Sequence, residues 1–186
     1  AASNQLVVKA GSGLYPHLSL SPSRAVVGIG DTLTFEVLVQ SGGVAAEVVS
    51  AGVDLQTSAL TVVNSGSPFT DLGVVLSGGT VVENTSSSTR LKFTKTKPGG
   101  ELLGTAADPV RLASFQVVIG NSASGTYSIK FDSTAALNLV GNSVTLKKST
   151  GMSLQSAQVQ TVGRGRIEAT VLLEGRSSPI GNGNHS

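Results

Sequence analysis

The segment 32–40 alternates apolar and polar residues almost without interruption, and this alternation constrains the fold more than any other feature of the sequence. Leu33, Phe35, Val37 and Val39 fall on one face of an extended strand, and polar residues fall mostly on the other. A strand with this pattern buries one face and leaves the other in solvent. The sequence therefore predicts a β-protein in which strands of this kind share a core.

Runs of the same kind follow one another along the chain, separated by clusters of Gly, Ser, Asn and Pro. Such spacing is typical of an all-β protein, and we predict a single jelly-roll β-sandwich of about nine strands, with extra strand-like segments at both termini. The segment 134–140 predicts at most one helical turn. The predicted strands are 17–21, 32–40, 46–55, 60–64, 73–76, 90–96, 110–119, 126–132, 143–147 and 166–174.

The surface of this protein must be solvated mainly by uncharged polar groups. Only 13% of its residues are charged, against about 25% in an average protein, and Ser, Thr, Asn, Gln and Gly take their place. Such a surface favours an extracellular setting. The first residues, Ala1 to Gln5, are typical of those left after removal of a signal peptide, so we expect a mature chain that is secreted or held at the cell surface.

Charge and cysteine content argue against several functions. The net charge is +2 and the basic residues are scattered, so we expect no nucleic-acid partner. The chain has no cysteine, which excludes disulfides, thiol catalysis and the usual structural zinc sites. No apolar run reaches the roughly 18 to 20 residues that a membrane span needs, so we expect no membrane insertion.

An ordered series of segments resembles the cohesin domain family, beginning with a Gly-Asp-Thr turn at 30–32 before the alternating strand. The likeness implies a nine-stranded, noncatalytic jelly roll that is secreted or attached to the cell surface and binds a partner module called a dockerin. It also implies a likeness in fold to some carbohydrate-binding modules. The matching segments are 18–22, 27–37, 53–55, 60–63, 112–117, 125–131 and 141–146, with 163–169 as the closing strand.

The extent of the likeness divides the chain into three parts. These are an N-terminal extension with a possible donor strand at 1–14, a cohesin-like sandwich at 15–171, and a polar C-terminal tail or linker at 172–186.

Some residues depart from the cohesin pattern. Gln56 and Thr57 stand where cohesins usually have Asp-Pro, and Val48 and Ser50 stand where an Asn and an Asp often contact dockerin. The chain also has extra residues at both ends and an insertion at 147–158. The usual polar anchors for a dockerin are therefore missing.

The resemblance implies a partner-binding face made of outward residues on the third, sixth and eighth cohesin strands. Its members here are Ser50, Gly52, Arg90, Lys92, Thr94, Ser128 and Lys130. Lys92 and Lys130 favour an acidic or carbonyl-rich partner. The alternative interpretation is an ordinary solvated face. No set of residues predicts a catalytic, cofactor or metal site, so we expect a protein that is not an enzyme and binds no cofactor.

A second hypothesis is a structural subunit that polymerises into an extracellular fibre by donating a terminal strand to a further copy of itself. Exposed sheet edges accept such strands because their N–H and C=O groups are unpaired. Pairing of 6–9 with its own sheet edge is the simpler interpretation of the N-terminal segment. The candidate donor residues are Leu6, Val7, Val8, Ile167, Ala169, Val171 and Leu173.

A third hypothesis is a carbohydrate-binding module with a polysaccharide partner, suggested by fold likeness alone. Flat polysaccharide sites use aromatic platforms, whereas this chain has no Trp, and Tyr127 and most Phe fall on inward strand positions. This hypothesis ranks third.

Asn84 and Asn184 each begin an Asn-x-Ser sequence, which is the acceptor pattern for N-glycosylation. The pattern is common in a chain rich in Ser and Thr, so the sequence leaves modification at either residue open.

Overall fold

Two β-sheets pack face to face and form a sandwich. The computed structural model describes residues 16–40, 43, 45–72, 75–104, 108–141 and 145–163. Within these residues there are fourteen strands and one short 3-10 helix, Lys148–Thr150. The predicted all-β sandwich is confirmed, although several of the fourteen strands are short pieces.

The strands are β1 (His17–Pro22), β2 (Val26–Gly28), β3 (Thr32–Gln40), β4 (Ala45–Asp54), β5 (Leu60–Val62), β6 (Phe69–Thr70), β7 (Thr80–Ser87), β8 (Arg90–Leu102), β9 (Val110–Ile119), β10 (Gly125–Phe131), β11 (Ala136–Leu139), β12 (Thr145–Leu146), β13 (Ser153–Gln155) and β14 (Ala157–Val162).

The first sheet has the order β13-β1-β3-β9-β5, and β6 also pairs with β9. Its longest ladder joins β3 and β9, which run antiparallel with Phe35 opposite Phe115. The pair β1 and β13 is parallel.

The second sheet is built around β4. On one side β4 pairs with β8, which in turn pairs with the edge strand β7. On the other side it pairs with β10 at Val53 and Asp54 and with β11 along 46–50, so β10 and β11 lie end to end. Beyond them, β12 pairs with β11, and β14 and then β2 follow β10.

One pair of chain segments belongs to both sheets. β1 and β2 are consecutive, as are β13 and β14, and the two segments run parallel in each sheet. Ser19 lies opposite Gln155 in the first sheet, and Val26 lies opposite Gln160 in the second. This switch from one sheet to the other connects the two layers along one side of the sandwich.

The core lies between the sheets and is centred on phenylalanine rings. Phe35 stacks on Phe115 with 5.0 Å between ring centroids. Phe69 lies edge-on to Phe115 at 5.5 Å and contacts Phe93 of the second sheet at 5.7 Å. All four rings are fully buried. They therefore connect the two sheets through direct aromatic contacts, which are geometrically specific as well as apolar.

Strands with clear apolar alternation match their predicted positions best. β3 and β9 begin and end at the predicted residues, and β1, β4, β5 and β10 differ from prediction by at most two residues at either end. β8 begins at the predicted Arg90 but continues to Leu102.

Other predictions were wrong, mainly at the edges of the sheets. Val75 and Leu76, predicted as strand, form a bend whose side chains are buried. The predicted helical turn at 134–140 is instead occupied by β11, which pairs with β4. Neither β2 nor β7 was predicted. In both cases the pairing partner, and not apolar alternation, fixes the extended backbone.

The end of the described chain also differs from expectation. The predicted closing strand at 163–169 lies, apart from Gly163, outside the described residues, as does the predicted strand at 166–174. Within the described part the last strand is β14 (Ala157–Val162). The predicted insertion at 147–158 contains the 3-10 helix, β13 and the start of β14. Ala157 and Thr161 are among the inward residues of β14. Because these residues are small or polar, the segment lacks the strong apolar alternation that predicts a strand. The predictions for 1–14 and 172–186, the donor residues at both ends, and Asn184 lie outside the described residues.

Candidate functional site

The outward side of the second sheet carries the predicted binding residues. Val49, Ala51 and Val53 of β4 are buried in the core, so Ser50 and Gly52 between them face outward. We use the term outer face for the outward side chains of β4, β7, β8 and β10.

Strand β8 repeats this pattern beside β4. Leu91 and Phe93 are buried, so Arg90, Lys92 and Thr94 point to the outer face. The register then joins the two strands residue by residue: Lys92 lies opposite Gly52 and Thr94 opposite Ser50. The hydroxyls of Ser50 and Thr94 are 3.0 Å apart and share a hydrogen bond.

Strand β10 extends the outer face on the other side of β4. Lys130 lies opposite Asp54, and Asp54 in turn lies opposite Arg90. Ser128 faces Gln158 of β14, beyond the end of β4. The structure therefore brings six of the seven predicted residues into one patch and places Ser128 at its margin.

The charges on the outer face are nearly balanced. The Lys92 Nζ atom lies 2.7 Å from Glu83 Oε2 on β7, and Arg90 Nε lies 3.9 Å from Asp54 Oδ2. Lys130 has no ion-pair partner among the described residues. Exposed pairs of this kind stabilise a fold by about 1 kcal/mol at most, but they neutralise the local field. The expectation of an acidic partner therefore loses its support at Lys92.

Gly52 allows a bend of the chain to lie against the outer face. Asp132 donates its backbone N–H to the carbonyl of Gly52 at 2.9 Å. The Asp132 carboxylate accepts hydrogen bonds from the backbone N–H and the hydroxyl of Thr134, at 2.7 and 2.6 Å. A Cβ atom on residue 52 would lie 1.9 Å from Thr134 Oγ1 and 2.0 Å from Asp132 Oδ1. Only glycine fits there without displacing this bend.

A shallow depression of about 280 Å³ lies beside this bend. Thr85, Arg90, Lys92, Asp132 and Thr134 are among the residues that line it. It offers hydroxyl, cationic and carboxylate groups together, so it is suited to a polar side chain from a partner molecule.

Lys95 lies on the inward side of β8, three residues from Lys92, and its environment is entirely different. It is 3% exposed, and its ammonium group donates to the carbonyl of Val75 at 2.7 Å and to the carbonyl of Leu72. Burial lowers the pKa of Lys95; the carboxylate of Glu101 opposes this shift and Lys97 adds to it. Lys95 therefore holds the bend around Val75 against the sheet and is not available to a partner.

No protein-family model matches the sequence, and no curated protein matches it either. Solved structures do resemble the fold. The seventh ScaB type I cohesin of Pseudobacteroides cellulosolvens aligns over 85% of this chain and 99% of its own, with a TM-score of 0.59 and 9% identity. A type II cohesin domain from the cellulosome of Acetivibrio cellulolyticus aligns over 78% of this chain and 95% of its own, with a TM-score of 0.56 and 14% identity. The chain has a cohesin-like fold.

A third similar structure was solved with a partner. The sixth cohesin of scaffoldin B from Acetivibrio cellulolyticus, in complex with a Cel5 dockerin mutant, aligns over 80% of this chain and 99% of its own, with a TM-score of 0.53 and 16% identity. At this level of identity the likeness concerns the fold.

Two parts of the outer face of this cohesin-like sandwich were missed by sequence reasoning. Strand β7 contributes Glu83 and Thr85, which lie opposite Thr94 and Lys92. It is exposed along most of its length and has no apolar alternation. The bend at 132–134 was also missed; an Asp followed two residues later by Thr is a turn signal that could have indicated it.

The aromatic residues of the described chain do not form an exposed platform. Four Phe side chains are fully buried, and Tyr127 and Phe131 are half-buried against the core. The Tyr127 hydroxyl accepts a hydrogen bond from the backbone N–H of Ser124 at 3.0 Å. This arrangement gives no support to a stacked sugar site in the described residues.

The side chain of Asn84 joins the two sheets. Its oxygen accepts a hydrogen bond from Phe69 N–H at 3.0 Å, and its nitrogen donates to the Phe69 carbonyl at 2.9 Å. An N-linked glycan would replace one of the two hydrogens on that same nitrogen and would have to fit where the nitrogen already lies 2.9 Å from the Phe69 carbonyl oxygen. We therefore expect Asn84 to be unmodified.

Within the described residues, no group of three His, Asp or Glu side chains is arranged to hold a metal ion. His17 lies on β1 opposite Gln40, and His185 lies outside the described part. No helix in the described ranges is long and apolar enough to cross a membrane.

Proposed function

We propose that this chain is a noncatalytic protein-binding module that works outside the cell and holds its partner against the outer face. The cohesin-like fold supports this proposal, since several neighbours of that fold were solved in complex with dockerins. The low charge content of the chain and the cellulosomal origin of one neighbour support an extracellular location.

The observation that carries the proposal is the regular outer face itself. Ser50, Thr94, Lys92 and Lys130 come from three adjacent strands and point the same way. A sheet face whose hydroxyls and charges are held in register by strand pairing is pre-organised, so a partner would bind without the entropic cost of ordering loops.

The chemistry of the outer face indicates the kind of partner. Two of its three cations already have carboxylate partners, so a strongly acidic partner would gain little from them. Lys130 is the exception among the described residues of this face. We therefore expect a dockerin-like protein surface rich in hydrogen-bonding groups, with one carboxylate or carbonyl group placed against Lys130.

The test compares variants on the two opposite faces of the sandwich. Immobilised wild-type chain, Thr94→Arg and the control Gln116→Arg are incubated with the extracellular proteins of the source, and retained proteins are identified by mass spectrometry. Thr94 lies at the centre of the outer face, whereas Gln116 is exposed on the outward side of β9 in the first sheet.

We expect one partner to be retained by the wild type and by Gln116→Arg, and to be lost with Thr94→Arg. Titration of the purified partner should then show at least a tenfold weaker Kd for Thr94→Arg. Equal binding by all three chains would place the interface elsewhere, and retention by none would contradict the proposed function.

A further inference from the structure

We propose that the apolar residues Leu6, Val7 and Val8 of the same chain occupy a cavity between β13 and the bend that joins β10 to β11. This inference concerns the side of the sandwich and is independent of the outer face.

The cavity has a volume of about 770 Å³ and an apolar floor formed by Phe131, Ala135 and Leu154. Ala135 is buried, and Phe131 and Leu154 are half-buried against the core. Phe131 comes from the second sheet and Leu154 from the edge strand of the first. The cavity therefore lies between the edges of the two sheets, and two of its three apolar residues, Phe131 and Leu154, are partly exposed to solvent.

The rim of the cavity is polar and differs from its floor. It is formed by Asp132, Ser133, Lys147, Lys148 and Ser149. A short apolar segment with polar neighbours matches this arrangement, because it would cover the floor and leave its flanking residues in water.

The chain enters the described structure next to this cavity. Pro16 is the first described residue, and its carbonyl accepts a hydrogen bond from Ser153 N–H at 3.0 Å. Ser153 directly precedes Leu154 of the cavity floor. The residues before Pro16 therefore start beside the opening.

The length and composition of residues 1–15 fit this cavity. Leu6-Val7-Val8 is an apolar run that follows the more polar Ser3-Asn4-Gln5 and is joined to Pro16 through the Gly-rich segment 10–13. Eight residue steps separate Val8 from Pro16, which reach at most about 28 Å when extended. A tether this short gives an effective concentration in the millimolar range, which favours the chain's own segment over that of a second copy.

Disulfide trapping tests the proposal cleanly because the chain has no cysteine of its own. The variant carries Val7→Cys and Ser133→Cys, since Ser133 is exposed on the cavity rim. After oxidation of the full-length chain, we expect a disulfide within one chain in most molecules, with the mass of a monomer and a yield independent of protein concentration.

The matched control carries Val7→Cys and Gln116→Cys. Gln116 is on β9, three strands from β13 in the first sheet, so we expect less than about a tenth of the intramolecular product. Equal trapping in the two variants would mean a freely moving segment and would overturn the proposal. Linked dimers or ladders from the cavity variant would also overturn it, in favour of donation to a second copy. Failure of the cavity cysteines to link would exclude the cavity.

A second measurement does not depend on cysteine placement. Removal of residues 1–13 should increase the fluorescence of a dye that binds apolar surfaces several-fold and lower the Tm by at least about 3 °C. The control chain, with Asn4→Ser and Gln5→Ser, should behave as wild type. An unchanged dye signal after truncation would contradict the proposal. Partner retention by the truncated chain should be unaffected, which separates this test from that of the proposed function.

Discussion

The centre of the first sheet and the edge of the second sheet are stabilised by different means. In the pair β3 and β9, alternating apolar residues bury Phe35, Val37, Phe115 and Val117 completely. In the pair β7 and β8, side chains also bind backbone groups of strand β6 and of the bend at Val75. Asn84 binds Phe69, and Lys95 binds Leu72 and Val75.

This difference explains which strands can be predicted from the local sequence pattern. Burial at the centre depends on residue type and on a period of two, both of which are visible along the chain. Hydrogen bonds at the edge join residues 15 to 23 positions apart, so no local window contains both partners. Substitutions in the two regions should therefore change the free energy of unfolding by different amounts and with a different dependence on pH.

The largest change in the free energy of unfolding is expected at the centre of the first sheet. Phe115→Ala removes a ring that contacts Phe35 and Phe69, and should lower the free energy of unfolding by about 3–5 kcal/mol. Urea denaturation followed by circular dichroism measures this change. Gln116→Ala, at the adjacent exposed residue, should change it by less than about 0.5 kcal/mol. A loss below about 1 kcal/mol for Phe115→Ala would mean that the aromatic contacts are not central to the core.

The contrast between strands with apolar alternation and the exposed edge strand β7 also decides how much of the candidate site could be predicted. The resemblance to cohesins indicated Ser50, Lys92 and Thr94 as outward residues of β4 and β8, and the structure places them there. Glu83 was not anticipated, because β7 is an exposed strand whose position depends on β8 and on Phe69. The outward orientation of Lys92 could therefore be predicted from the sequence. Its ion pair with Glu83 could not.

Lys95→Met should give the second largest effect. Methionine keeps the apolar length of the side chain but leaves the carbonyls of Leu72 and Val75 without their donor, which costs about 1–3 kcal/mol. Lys92→Met, on the outward side of the same strand, is the control and should cost at most about 1 kcal/mol. Similar losses for both lysines would contradict the distinction between inward and outward positions.

The pH dependence of this variant provides a sharper test. Burial lowers the pKa of Lys95 below its ordinary value of 10.5. Between the two values the unfolded chain holds a proton that the folded chain has released, so raising the pH toward 10.5 stabilises the fold. The stability advantage of the wild type over Lys95→Met should therefore grow between neutral pH and about pH 10. A constant difference would contradict the lowered pKa.

At the other contact of this edge, Asn84→Ala should lower the free energy of unfolding by about 1–2 kcal/mol, because both hydrogen bonds to Phe69 are lost. Asn84→Asp keeps the acceptor but sets a carboxylate oxygen against the Phe69 carbonyl in place of the donor, so at neutral pH it should be at least as unstable as Ala. Thermal unfolding of the three chains gives the order. An Asp variant as stable as wild type would contradict the hydrogen bond that Asn84 donates.

The smallest effect is expected at the half-buried ion pair between Lys97 and Glu101 of β8. The hydrogen bond from Lys97 lowers the pKa of Glu101, and the N–H of Ser77 contributes in the same direction. A carboxyl group whose pKa is lowered on folding stabilises the folded chain when it is ionised. The stabilisation from Glu101 is therefore complete above the ordinary pKa of 4.5 and is lost as the pH falls below it. Lys97→Met should cost at most about 1 kcal/mol at neutral pH and nothing in strong acid. Lys130→Met should show no such pH dependence, and a cost for Lys97→Met that persists in acid would exclude the ion pair as its cause.

The parallel pairing of β1–β2 with β13–β14 has a mechanical consequence. In parallel neighbours, the start of one segment and the end of the other lie at opposite ends of the ladder, and here these ends are Pro16 and Gly163. Tension applied between them pulls the two segments past each other, so the hydrogen bonds of both sheets bear the load together instead of opening one after another. A module pulled from both of these ends would then resist extension through the same strands that close its sandwich.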